Sequence, residues 1–487
     1  MAMNQLATRY DDTLNRSVVE IDQQTLPSQY FAQSRESLRN LPYLGCSYRA
    51  SFMLIKILAT IEDTVLISHS SIGCDSDWIY ANQHYHSLLR SKGLPLRNAN
   101  LMSTNLTEED VIFGADDKLE KAVEKAMSTY HPQAIFIRAK CCTPGRSPYE
   151  MQELIEHIQR RYSIPILLAR CDFISKVAGE KRHHKEDYIR SSWGKIFQAS
   201  VPDDAPIFNL INFTDDDSFR DLLKSGGAQW NYLSYGSPFA SFEKAAKAKA
   251  TIQYSTVEFG EYLGEMFRRE LGVPYCRVPA PYGISATDAA LTVIGEIVAN
   301  EEDFQKLIFL QKQKYQPLIE ELRHNLHSLR CLPVMADFGG EERCMLAMLK
   351  DLGLTILGDQ REGREYDTVL SNEKRITTFY GENGLHFGDH GGYKLINFIR
   401  EEAPDVLIVH HNGLATWSMR MGIPTIELGD VRGGLDFLGY SGLVRLGRKI
   451  LDTVTNPALT KQLSKHTGIP YSYGWMNQPL VQEVIPR

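Results

Sequence analysis

No stretch of this chain approaches the about 18 consecutive apolar residues that a membrane-crossing helix needs. Basic residues do not predominate: the formal net charge is −7, which gives no electrostatic footprint for nucleic acid and disfavours an anionic membrane surface. The opening MAMNQLATRYDD carries no apolar signal core, so the expected compartment is the cytoplasm. There is no Gly-x-x-x-x-Gly-Lys-Ser/Thr phosphate loop, and any ATP-driven step has to come from another protein. Ser-His-Asp phrases and activated-nucleophile phrases are missing too. Cysteine is sparse, eight in 487 residues, and the spacings fit no short zinc or ferredoxin pattern. No repeat of solenoid period and no low-complexity linker interrupts the chain.

What is present is an ordinary globular composition, 43% hydrophobic, with short apolar runs alternating with amphipathic segments. TVLIS leads to a helix near 78–92, and Leu119, Val123 and Met127 mark one face of a helix over 116–130. AIFIRA, a helix near 149–162 and IPILLAR follow. A second alternation starts at APIFNLINF, with helices near 217–224, 256–271, 286–299 and 302–329. A third starts at LPVMADF, with helices near 341–352, 391–402 and 414–421 between LTILG, DVLIVHH and PTIEL. Such alternation predicts an α/β protein of three Rossmann-like domains, each a parallel sheet flanked by helices. The expected division is an N-terminal arm at 1–44, domains at 45–203 and 204–329 (the second with the long helix), and a third with the C-terminal segment at 330–487.

The cysteines stand out by setting rather than number. Cys46, Cys74 and the Cys141-Cys142 pair lie in YLGCSYRA, HSSIGCDSDW and IFIRAKCCTPG, and the latter two follow strand-like runs. Gly45 and Gly73 allow backbone to approach a bulky group. Free cysteine also serves as a small buried hydrophobe. In a reducing compartment, though, grouped thiols read as metal ligands before disulfides, and thiolates suit soft iron. Adjacent side chains diverge at a strand end, so Cys141 and Cys142 cannot both point the same way. A standard cluster takes four cysteines, so three from one chain leave a place for another chain.

The order GC–SY, ISHSSIGC, STNLTEEDVIFGADDKLEKAVEKA and a strand ending in cysteine resembles the nitrogenase component 1 superfamily. The similarity is densest from about residue 40 to 175 and continues through LGVPYCRVPAPYGISATD, LKDLGLTILG and MGIPTIELGD to LGYSGL. Ser70 stands where the family phrase has the glycine after histidine, and Ala115 where it has the second of two glycines. The resemblance implies that Cys46, Cys74 and Cys141, with Cys142 as a supplementary candidate, bind an iron–sulfur cluster shared with a partner chain. That cluster would be 8Fe-7S and P-cluster-like, or 4Fe-4S. It also implies an α2β2 heterotetramer with a homologous α-type subunit, and an ATP-hydrolysing iron protein as electron donor.

Family members that hold a large active-site cofactor offer it a cysteine and a histidine. The corresponding positions here fall at Ser255 or Thr256 and at Gly429, so no large cofactor is expected in this chain, which resembles a β-type subunit. The Leu-Gly-Tyr-x-Gly phrase at 438–442 points the same way, whereas RCDF, with Cys171 and Asp172, looks α-type. The implied activity is that of a nitrogenase-like reductase, such as one that cleaves C–S bonds of methylthio-alkanes. The alternative is a cofactor-assembly scaffold without turnover. Cys276, Cys331 and Cys344 are expected in the core, and the pairs His183-His184 and His410-His411 are expected to bond loop backbone.

Overall fold

The computed structural model describes residues 57–75, 78–139, 148–170, 207–214, 216–254, 258–334, 341–357, 399, 402–409, 412–428 and 436–467. The first sheet comprises β1 (Thr64–His69), β2 (Leu101–Ser103), β3 (Ala134–Ala139) and β4 (Ile166–Arg170), interleaved with α1 (Trp78–Ser91), α2 (Glu108–Phe113), α3 (Asp116–Tyr130) and α4 (Pro148–Gln159). The second comprises β5 (Ile207–Asn212), β6 (Gln229–Ser234), β7 (Ala250–Gln253) and β8 (Tyr275–Arg277), with α5 (Ser218–Leu223), α6 (Phe239–Lys244) and α7 (Glu258–Leu271). Two long helices follow, α8 (Gly283–Val298) and α9 (Glu301–Leu326). The third sheet comprises β9 (Arg330–Val334), β10 (Thr355–Ile356), β11 (Val406–Val409) and β12 (Thr425–Glu427), with α10 (Glu341–Asp351) and α11 (Asn412–Arg420). The described chain closes with α12 (Gly439–Thr455) and α13 (Ala458–His466).

All pairings are parallel, and each sheet repeats one order: β2-β1-β3-β4, β6-β5-β7-β8 and β10-β9-β11-β12. Three parallel sheets flanked by helices are the α/β architecture expected from the alternation. Parallel strands covered on both faces read as continuous apolar runs, and every residue of β1 is buried. Along it, Val65 and Ile67 join Leu119, Val123, Ile155 and Ile158 of α3 and α4 in one cluster. Leu66, on the other face, joins Tyr85 and Leu89 of α1 with Ile211 and Leu233 of the second sheet and Phe267 of α7. Leu210 and Ile252 of the second sheet and Phe219 of α5 then share a further cluster with Leu332, Leu407 and Leu443. Apolar cores therefore run from the first sheet to the second and from the second to the third.

The helix α12 was not legible in the sequence, because Gly439, Gly442 and Gly447 weaken its propensity. Packing forms it instead. Tyr440 stacks on Tyr315 of α9 at 6.5 Å between ring centroids and donates to Asp288 of α8. Buried Asp216 accepts the Leu438 N–H (2.7 Å), the Ser218 N–H (2.8 Å) and a guanidinium N–H of Arg445. One carboxylate thus satisfies an amide at the start of α5 and another at the start of α12.

Candidate functional site

In a sheet of this order the crevice lies outside the carboxyl ends of the two central strands, where the connections diverge to opposite sides. For the first sheet those are β1 and β3, paired Ile67 to Ile137, Ser68 to Arg138 and His69 to Ala139. The chain leaves β1 at His69 and makes a single 3-10 turn, Ile72–Asp75, that contains Cys74. It leaves β3 at Ala139, shortly before Cys141. The two segments that lead to Cys74 and Cys141 therefore end side by side at the switch point. Cys46, Cys141 and Cys142 lie outside the described residues, as do Cys171, Asp172, His183, His184, Ser255, Thr256, His410, His411 and Gly429. Among the described residues, no group of three or more potential ligands could hold a metal.

The Cys74 turn is fixed by the residue after it. Asp75 is 4% exposed and accepts three serine hydroxyls: Ser68 (2.5 Å) and Ser70 (2.9 Å) on Oδ1, and Ser103 (2.6 Å) on Oδ2. Ser68 and Ser70 hydroxyls also lie 2.8 Å apart, and His69 Nδ1 is 3.1 Å from the Thr104 hydroxyl. Backbone bonds tie the same pieces, Thr104 N–H to Ser68 O and Leu106 N–H to Ser70 O, both 3.0 Å. Ser70, the departure from the family's glycine, thus supplies a hydroxyl to the carboxylate. Asp75, Ser68 and Ser103 were missed in the sequence; the one signal was an acid directly after the cysteine of a serine-rich phrase.

The phrase LTEEDVIFGA has a local physical origin. Thr107 caps α2 in a reciprocal box: its hydroxyl accepts the Asp110 N–H (3.4 Å), and Asp110 accepts the Thr107 N–H (2.6 Å). Gly114 ends α2 at φ 93, a conformation that favours glycine, whereas Ala115 has φ −143, open to any residue. The alanine is therefore unstrained where the family has its second glycine. Hydrogen bonding from Lys118, then from Thr107, holds the Asp110 carboxyl down at about 2, below its ordinary 3.8. A depressed carboxyl contributes stability that is present above its unfolded pKa and is lost as pH falls through the folded one. NMR titration should accordingly find the Asp110 carboxyl ionised at pH 3 and α2 fraying as the pH drops toward 2. A midpoint near 3.8 would remove the capping argument.

Beside this site α2 presents Val111, Ile112 and Phe113 to solvent, with Phe113 85% exposed, and Ile72 of the cysteine turn is exposed as well. Monomeric surfaces seldom carry adjoining large apolar side chains without a partner. Of the other cysteines, Cys331 is a core thiol whose pKa burial pushes well up, Cys344 is half-buried and packs against the core, and Cys276 is half-buried rather than in the core as expected. Among the described residues no helix is long and apolar enough to cross a membrane.

Residues 54–455 match the nitrogenase component 1 type oxidoreductase family. The chain is 25% identical over 422 residues to the nitrogenase iron-molybdenum cofactor biosynthesis protein NifE of Clostridium pasteurianum, covering 82% of this chain and 86% of that protein. It is 22% identical over 434 residues to the nitrogenase molybdenum-iron protein alpha chain of Azospirillum brasilense, covering 85% and 86%. The corresponding alpha chain of Azotobacter vinelandii gives 23% over 435 residues, covering 86% and 84%. Among solved structures, nitrogenase Cp1 at pH 6.5 superposes with a TM-score of 0.62 at 18% identity, over 88% of this chain and 91% of that one, a likeness of fold. With the family match spanning most of its length, the chain belongs to the nitrogenase component 1 type oxidoreductases.

Proposed function

We propose that this chain is a subunit of a nitrogenase-like reductase complex, in which Cys46, Cys74 and Cys141 ligate an iron–sulfur cluster shared with a homologous partner chain. The observation that carries the reading is the meeting of the β1 and β3 ends at the switch point, with Cys74 on a pinned turn. The site suits such a group. Thiolates are the donors soft iron prefers. Among the described residues nothing lies within 4 Å of where a Cβ on Gly73 would stand, so none of them crowds the turn. When bound, an iron–sulfur cluster supplies a low-potential electron store. The chain's own part is placement: the serine-held turn fixes one thiolate, and surrounding hydrogen bonds and burial tune the potential.

The exposed face of Val111, Ile112 and Phe113 is the docking surface for an ATP-hydrolysing iron protein that delivers electrons. The family's cysteine and histidine positions fall at about Ser255 or Thr256 and Gly429, which supports a reading in which the larger cofactor sits on the partner. Reduction of methylthio-alkanes by C–S cleavage is the substrate reading to try first. That departure from the ligand set suggested a β-type subunit. The relatives named above are alpha chains and NifE, and they favour an α-type place in an α2β2 assembly instead. The NifE relative also favours a second reading, a cofactor-assembly scaffold that hands on a cluster without turnover.

Purification with the native partner, followed by iron and sulfide analysis and ATP- and reductant-dependent turnover of methylthio-alkanes, separates the readings. Turnover supports the reductase; cluster transfer to an acceptor without turnover supports the scaffold. In the same assay Phe113→Ala should raise the concentration of iron protein needed for half-maximal electron transfer about tenfold or more, as loss of an aromatic anchor does. Thermal stability should stay unchanged, because the ring contributes little to the fold while exposed. Unchanged dependence on the iron protein would remove α2 from the docking surface.

A further inference from the structure

We infer that Asp75 is the positioning residue for Cys74, locking the cysteine turn to the segment that carries α2. The inference rests on the cluster reading above and extends it to a group that is not itself a ligand. A turn as short as Ile72–Asp75 has no ladder bonds to hold it. Without a tether, the cysteine would sample many positions and lose the preorganisation a metal site needs. Asp75 supplies that tether with both carboxylate oxygens. Oδ1 accepts from Ser68, the next-to-last residue of β1, and from Ser70 just beyond the strand. Oδ2 accepts from Ser103, the last residue of β2. Ser103 in turn accepts the Asn105 N–H (3.1 Å), and Asn105 holds a left-handed φ of 47 on the way to Thr107, the cap of α2.

Three donors on one buried carboxylate form a satisfied network, and such networks rigidify when complete and cost most when one member is removed. The same carboxylate is also a negative group one residue along the chain from Cys74. Asp75 therefore acts in two separable ways, through geometry and through charge. Asparagine separates them. Its carbonyl oxygen can accept from Ser68 and Ser70, and its amide can donate to the Ser103 hydroxyl, so the turn keeps its shape without the charge.

The test compares Asp75→Ala, Asp75→Asn and Ser103→Ala in the full chain, alone and with its native partner. In the chain alone, amide hydrogen exchange at Gly73–Asp75, Thr104 and Leu106 should quicken roughly tenfold or more in Asp75→Ala, with exchange in β5 and β7 unchanged. Asp75→Asn should stay near the wild-type rate, and Ser103→Ala should fall between. In the complex, Asp75→Ala should lose cluster iron, whereas Asp75→Asn should keep it with a midpoint potential shifted positive, because adding an electron no longer opposes a neighbouring negative charge. Wild-type exchange rates together with wild-type iron content in Asp75→Ala would overturn the inference. If the wild-type complex holds no iron–sulfur cluster, the functional reading fails, and the exchange rates still decide whether Asp75 holds the turn. Should Asp75→Ala fail to fold, Asp75→Asn and Ser103→Ala decide it by the same measurements.

Discussion

Replacing Cys74 by alanine is expected to remove the cluster iron from the purified complex and to weaken the association of unlike chains at the same time. On the proposed reading the two losses go together, because three thiolates from one chain would leave ligand positions for a partner to fill and the cluster would link the chains. Metal binding of this kind is assembly free energy, and a lost ligand removes most of it. The weakening should exceed about tenfold in the dissociation constant, since a cluster-bridged contact carries more than the about 1.4 kcal/mol that this factor represents. Iron analysis and sedimentation on the same preparation check it. An assembly that survives intact after losing its iron would show that the cluster, if present, does not bridge. Because the Asp75 carboxylate ties the turn to β1 and β2, the isolated variant should keep the wild-type fold.

Gly442→Ala is expected to be the most destabilising single methyl addition in the described fold. A Cβ at this position would overlap the backbone carbonyl carbon and oxygen of Phe437, which cannot move aside as a side chain can. The first turn of α12 would have to shift away from Phe437 and disturb the Leu438 amide bound to Asp216. Overpacking against yielding neighbours costs about 1–3 kcal/mol, and unyielding backbone places Gly442→Ala at about 3 kcal/mol or more. The control is Gly447→Ala on the same helix. There the Cβ would meet methyl groups of Leu322 and Leu352 at 2.9 Å, which can give by a few tenths of an ångström. The roughly 1 kcal/mol that alanine gains over glycine within a helix offsets that crowding. Denaturant unfolding should show a large loss for Gly442→Ala and a small change for Gly447→Ala; equal effects would remove the steric account.

The contrast between these positions shows where the sequence was readable. β1, β3, β4 and β11 were plain because each carries a run of at least three consecutive buried apolar residues, such as 65–67 and 135–137. β7 was not, because Thr251 and Gln253 are polar yet fully buried. The structure shows why they are tolerated: Asn209 donates to Thr251, and the Tyr275 hydroxyl donates to Gln253. A one-dimensional pattern cannot reveal partners that lie across a sheet. The same holds at the candidate site. Cys74 was legible from its strand-end setting, but the carboxylate that fixes it needs hydroxyls from two strands, and only the β2-β1 pairing brings Ser103 to Asp75. Position 115 shows the converse: the missing glycine looked like a departure, and the backbone there requires none.

The reach of α12 has a consequence for how the protein is made. Its side chains Tyr440, Leu443, Leu446 and Ile450 complete an apolar cluster whose other members include Leu210, Phe219, Ile252 and Leu291. During vectorial synthesis those earlier residues leave the ribosome more than a hundred positions ahead of the helix that covers them. At about 5–20 residues per second, that cluster waits several seconds for its last helix. The first sheet, by contrast, has its α3–α4 face closed by Leu168. Nascent chains stalled shortly before Gly439 should therefore be held by chaperones through the second sheet, and release should come as one late, concerted step when the final helices emerge.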